Sequence, residues 1–418
     1  MSRPFRAVVA VFAAVGPVLL YLVVTTKVRS MTAPIEVTRT AVDLPTLVAK
    51  GLVFFAPLDP RTAPTMDSAT QLVRWIVILL IAVSTYLACG LVTRETHPFI
   101  AAMTGAAAAL TATAIGDLLW WATFVVRVHS APSGWYANEA LDHSTLLASA
   151  HLTLTGWTSD ALFFGCLVAA ANTTVVGVSS LAMLLLNRSN EDGDSDEPAG
   201  EDQATVDDTE PAARVPLIGD VRGRSANLAL AGILPVLVLM LINGVPAVQD
   251  SRSKRTLLGL LREFLYRPAL SLPPRERNDL GYRLTHESVE TTPLSMDLWV
   301  HRSVLALAML LLLWLLLRAM LAGLPSAGHR LGFVVVCWGA TIAVSALTAT
   351  SDVLVGCALA DSPAGCTPWE TLGPQLTFSM RFGAAWGWLV ALPVLLARRL
   401  LGTDTSIDTQ ETPVHEST

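Results

Sequence analysis

Apolar residues run along this chain in long, nearly unbroken blocks, at positions 7–26, 72–92, 98–126, 158–186, 226–247, 300–322, 331–356 and 379–397. Each block has roughly the 20 residues that a helix needs to cross about 30 Å of hydrocarbon. The pattern predicts an all-α integral membrane protein with about eight transmembrane helices. With 52% hydrophobic and only 15% charged residues, the chain carries more apolar surface than a soluble protein of this length can bury. The first block follows Met1-Ser-Arg-Pro-Phe-Arg. It is too long for a signal-peptide core and lacks a small-x-small cleavage site, so it reads as an uncleaved span.

The polar segments give this series an internal order. Ten carboxylates lie between Glu191 and Glu210 with almost no apolar content, the signature of a solvated, disordered linker. That linker, 187–225, separates a first four-helix unit, 1–186, from a second, 226–400, and a polar tail occupies 401–418. Loop lengths agree between the halves, and short matches recur in the same order. "GPVLL" at Gly16 answers "LPVLV" at Leu234, and "TMD" ending at Asp67 answers "SMD" ending at Asp297. "ALTAT" occurs at Ala109 and again at Ala346, leading to Asp117 and Asp352. Trp135 and Trp369 follow, then Leu154-Thr155 and Leu376-Thr377. Five colinear matches favour a duplication over chance similarity between alanine-rich helices. Because each unit has an even number of spans, the two insert the same way up, as parallel repeats.

Basic residues in the short loops, Arg94, Arg318 and Arg330, with Arg398-Arg399 near the end, place both termini in the cytoplasm of a plasma-membrane protein. The two long loops carry more positive charge than this proposed inside, but long segments follow the rule poorly. Each long loop also predicts a short extracytoplasmic amphipathic helix. In the first, Asp43 serves as N-cap and Leu44, Leu47, Val48, Leu52 and Phe55 share a face; in the second, Leu257, Leu258, Leu261, Phe264 and Leu265 do so. Both could lie at the lipid interface or cap the bundle as a lid.

Candidate chemistry centres on intramembrane charge. An aspartate at the bilayer centre costs about 2.5–3.5 kcal/mol on insertion scales, so Asp117 and Asp352 should face a bundle interior, a partner or water. One turn before them stand Thr113 and Thr348, within stripes of small and hydroxyl residues suited to close helix contact. Asp160 and Arg381 occupy matching places near the start of the fourth and eighth spans, where opposite charges could meet between the repeats. The simpler reading is interfacial: a snorkelling arginine and a helix N-terminal carboxylate. Asp67 and Asp297 sit where N-caps are expected. His143 and His151 are eight residues apart, too far for joint ligation of a metal from one straight helix. Cys89, Cys166 and Cys337 fall inside spans and read as buried thiols, whereas Cys357 and Cys366 bracket a loop that a disulfide could close in an oxidising compartment.

No mid-span histidine invites haem, and no P-loop, dinucleotide fingerprint, Gly-x-Ser-x-Gly or His-Glu-x-x-His occurs. No cofactor and no nucleic-acid partner is expected, and the chemistry points away from an enzyme. An intramembrane lipid enzyme using Asp117, Asp160, Arg381 or His143 ranks last. First stands a non-enzymatic membrane component, embedded in the bilayer and engaging an envelope protein or lipid through outer loops and the repeat interface. The alternative is a secondary transporter or permease with coupling carboxylates Asp117 and Asp352 between the repeats. Against it, no span carries a broken-helix Gly/Pro signature at its centre.

Overall fold

The computed structural model describes residues 3–31, 68–93, 96–130, 164–185, 218–243, 296–323, 330–359, 372, 376 and 382–403. Among the described residues every regular element is helical and no strand occurs. In chain order the helices are α1 (Arg3–Met31), α2 (Ser68–Cys89), α3 (Pro98–Ser130), α4 (Phe164–Leu185), α5 (Ile218–Asn243), α6 (Met296–Gly323) and α7 (Arg330–Leu359). The last, α8, starts with helical residues 382–386, tightens into a 3-10 turn at Gly387–Val390, and continues as Ala391–Thr403.

Six of these are long and apolar enough to cross a membrane: α2 through α7. The expected first and eighth spans contain shorter apolar stretches, Pro4–Leu19 and Phe382–Ala397. Helix α5 begins at Ile218, inside the segment read as linker. The two amphipathic loop helices, and most of that linker, lie outside the described residues.

Local chemistry explains the tight connection between α2 and α3. After Gly90 the chain turns, the Thr93 amide donates to Thr96 Oγ1 at 3.0 Å, and the Phe99 amide donates to His97 Nδ1 at 3.2 Å. His97 thus satisfies one orphan amide at the start of α3, where Pro98 suits the first helical position. Two of the earlier readings change here. Asp297 lies in the first turn of α6 and is not its N-cap, and Cys166 faces outward from α4 while Cys89 and Cys337 are buried. An outward thiol on an apolar helix is consistent with a lipid-facing position.

Helices that follow one another in the chain pack on one another. Helix α1 lies on α2 and α5 on α6; α2 pairs with α3 and α6 with α7 as antiparallel hairpins. The fourth helix of each half rests on the third through glycines. Gly165 meets Thr113 and Leu110, and Gly105 meets the Asn172 backbone; in the second half Gly383 meets Ile342 and Gly387 meets Trp338. Trp338 Nε1 donates to the Gly383 and Ala384 carbonyls, both at 3.0 Å.

The halves join where α3 crosses α7. Gly339 sits on the Ala107 carbonyl so tightly that no side chain fits, Gly332 similarly meets the Leu87 carbonyl on α2, and Thr111 Oγ1 donates to the Val335 carbonyl at 2.8 Å. Small residues permit this approach, which in lipid is driven by packing and interhelical hydrogen bonds. Thr111 also donates to its own helix at Ala107, 3.0 Å away. Thr111→Val should therefore lower stability only modestly, by about 0.6 kcal/mol, in a thermal melt of the purified protein. A loss several times larger would mean that the crossing depends on this hydroxyl rather than on close packing.

The described helices bury a largely apolar core that also holds polar side chains, and they expose large apolar ones. The interior includes buried Thr85, Thr104, Thr111, Thr113, Asn172, Thr341, Ser345 and Thr348, while Trp75, Phe99, Val304, Leu307, Leu311 and Leu331 point outward. Such an outer face, on helices long enough to cross a bilayer, is compatible with a membrane protein.

Candidate functional site

The polar stripe on α7 ends at a charged contact with α6. Asp352 is 7% exposed. Its Oδ1 lies 3.6 Å from His301 Nε2 and 3.6 Å from Arg302 Nε, both on α6. The hairpin positions them. Helices α6 and α7 run antiparallel, α6 ending at Gly323 and α7 starting at Arg330, so the early part of α6 comes level with the late part of α7. His301 and Arg302, early in α6, therefore reach Asp352, late in α7.

The geometry is close but not tight. Good charge-assisted hydrogen bonds run about 2.7–2.9 Å, and Asp352 Oδ1 accepts no hydrogen bond. Going inward by helical turns, Thr348 donates its hydroxyl to the Val344 carbonyl at 2.7 Å, and Thr341 donates to Cys337 at 2.9 Å. Ser345, between them on this face, is fully buried with no hydrogen-bond partner for Oγ. The hydroxyl of Thr348 thus satisfies its own helix and does not serve Asp352.

The counterpart on α3 is similar in burial and different in company. Asp117 is 5% exposed and engaged by a neighbouring group. Thr113, one turn before it, donates to the Ala109 and Leu110 carbonyls at 3.0 and 3.2 Å. Gly116, next to Asp117, packs on Val77 of α2. Arg74 stands one turn before Val77 and so comes level with the part of α3 just beyond Asp117.

A second polar knot ties α4 to the first half. Asn172 Nδ2 donates to Thr85 Oγ1 at 2.9 Å and to the Gly105 carbonyl at 3.3 Å, while Asn172 Oδ1 has no hydrogen-bond partner.

Asp160, Arg381, His143, His151 and Cys366 lie outside the described residues. Cys357 is disulfide-bonded. Among the described residues no group of three or more His, Cys, Asp and Glu side chains could hold a metal ion. No protein-family model matches the chain, and neither a curated protein nor a solved structure matches it. The site must therefore be read from its own chemistry.

Sequence reasoning missed His301 and Arg302 because they open an apolar block and look like flanking charges. Hairpin register was the available signal, since it brings both level with Asp352. It also missed the 3-10 turn in α8. A change of helical type within an apolar helix often marks a hinge, and this one is enabled by Gly383 and Gly387 lying against α7.

Proposed function

We propose that this chain is a multi-pass plasma-membrane permease built from two parallel four-helix repeats, with Asp352 and Asp117 as its coupling carboxylates. The observation that carries this reading is the buried contact of Asp352 with His301 and Arg302 within apolar helices. Ionisable groups at membrane depth are costly and persist where they face an interior pathway or bind one another. His301 and Arg302, both 3.6 Å from one Asp352 oxygen, are groups of this kind.

The repeat arrangement is supported by how α3 crosses α7. If Asp117 corresponds to Asp352, Ala107 and Gly339 touch within about one turn of each other's counterpart, as expected for equivalent helices around an axis along the membrane normal. Each aspartate then lies roughly three turns beyond the crossing, on the same side of it. By the charge of the short loops, that side faces outward with both termini cytoplasmic. The 3-10 turn in α8 supplies an irregular element where the sequence showed none.

The test is reconstitution. Full-length protein in liposomes with a trapped pH dye is exposed to gradients of small anions, small cations and neutral solutes. One class should drive protein-dependent proton movement, and Asp117→Asn with Asp352→Asn should abolish it while the protein still elutes as one species. Proton movement no faster than in protein-free vesicles for every solute would defeat this reading. The chain would then stand as an envelope component binding a protein or lipid partner.

A further inference from the structure

Two buried polar atoms meet across the α6–α7 contact without a hydrogen bond. His301 Nε2 and Asp352 Oδ1 are 3.6 Å apart, and neither has a hydrogen-bond partner. Hydrogen bonds of nitrogen to oxygen run at about 2.7–3.2 Å. The gap is therefore too wide for a direct bond, and it is wide enough for a third group to touch both atoms. We infer that this gap is a binding position for the hydroxyl group of a neutral polyol. The inference rests on the permease reading and names its substrate class.

The two atoms select the class. A hydroxyl both donates and accepts, so one oxygen placed between His301 Nε2 and Asp352 Oδ1 can give a hydrogen to one and take a hydrogen from the other. Ether and carbonyl oxygens only accept, and an ammonium only donates. Arg302 Nε, 3.6 Å from the same carboxylate oxygen, already sets a formal positive charge beside the negative one. A ligand with net charge would bring an unmatched charge into this interior, whereas a neutral ligand leaves the balance untouched. Arg302 is engaged by a further group as well, and the hydroxyl takes no donor from it.

The gap has an approach. One turn beyond Asp352, Gly356 stands on the same face of α7, and among the described residues nothing lies within 4 Å of a side chain added there. This opening lies toward the end of α7 at Leu359, so a solute meets the gap from the helix ends rather than through the apolar flank. The side chains of His301 and Asp352 keep 13% and 8% exposure: the position is enclosed but not sealed. In the other direction, about 10 Å inward on the same face, the buried Ser345 Oγ is again without a partner. Thr348 stands between them, its hydroxyl given to the Val344 carbonyl and its oxygen still able to accept.

The orphaned oxygen of the first half has no such approach. Asn172 Oδ1 also lacks a hydrogen-bond partner, but Asn172 is fully buried, and a side chain added at the adjoining Gly105 would meet the Asn172 carbonyl oxygen at 3.0 Å. An unpartnered polar atom and open space beside it coincide at Asp352.

Binding is measured apart from transport. Full-length protein in phosphatidylcholine nanodiscs, free of sugar detergents that would compete, is titrated with glycerol and with xylitol and followed by saturation-transfer NMR. Both polyols should bind. Trimethoxypropane, whose oxygens cannot donate, should not, nor should sodium acetate or ethylammonium chloride. Gly356→Leu should weaken polyol binding at least about tenfold by closing the approach, while its melting temperature stays near that of the natural protein because open space receives the added side chain. His301→Leu should weaken binding about tenfold through the loss of one hydrogen bond, and His301→Gln should recover part of it. Diacylglycerol added to the discs offers a hydroxyl from the lipid side and should leave polyol binding unchanged. No binding of either polyol, equal binding of trimethoxypropane or of a charged solute, displacement by diacylglycerol, or unchanged affinity in Gly356→Leu and His301→Leu would each overturn the inference. Polyol binding with no vesicle flux for any solute would defeat only the permease reading. Proton movement driven by an ion, without polyol binding, would defeat only the polyol site.

Discussion

Gly339→Leu is expected to drive the two halves of the protein apart. At the crossing of α3 and α7 even a methyl group at residue 339 would overlap the Ala107 carbonyl carbon and oxygen. Backbone cannot rotate out of the way as a side-chain tip can, so the helices must separate, and Thr111 would lose its reach to the Val335 carbonyl. Overpacking of a core typically costs about 1–3 kcal/mol and occasionally more; the obstruction here is main chain, which places this substitution at the upper end. The measurement is a thermal melt followed by size-exclusion after a protease site placed in the acidic linker has been cut. The natural protein should stay together once cut, whereas the variant should release its halves. Gly356→Leu is the matched control, because nothing lies within 4 Å of a side chain added there. If the two substitutions have equal effects, the close crossing is not what holds the halves together.

The second large effect concerns Asp352. Its replacement by leucine removes the carboxylate oxygen that lies 3.6 Å from both His301 and Arg302, early in α6 and late in α7. Removing one partner of a buried ion pair costs about 3–5 kcal/mol, because the remaining charge keeps its desolvation penalty without compensation. Replacing the whole group by apolar residues is often neutral or stabilising. Asp352→Leu should thus lower the melting temperature sharply, and adding Arg302→Leu and His301→Leu should restore most of it. This coupling is what a double-mutant cycle reads. Additive losses across the three sites would mean that the contact seen at 3.6 Å contributes nothing to folding. A triple variant that is as stable as the natural protein but inert in vesicles would separate the role of the cluster in function from any role in stability.

Much of the architecture was legible because hydrophobic block length is a direct record of span length. Helices α2 through α7 fall where the blocks lie, with ends shifted by a few residues: α3 runs on to Ser130 and α5 starts at Ile218. The interior position of Asp117 and Asp352 was legible for a related reason, since a carboxylate in an apolar block has few tolerable environments. The partners of Asp352 were harder to read. His301 and Arg302 sit at the edge of a block, where basic residues ordinarily meet headgroups or water. Only the pairing of α6 with α7 turns them inward to Asp352. Thr113 and Thr348, which the sequence places one turn before the aspartates, each donate to a carbonyl of their own helix.

By itself, the sequence determined where the long apolar helices would lie and where carboxylates would interrupt them, because apolar length and an interrupting charge belong to each segment on its own. The tertiary structure alone decided which helices touch and therefore which charges share an oxygen. Contacts such as Gly339 with Ala107, or Arg302 with Asp352, depend on crossing points and hairpin register, and those are properties of two helices together that neither segment carries on its own.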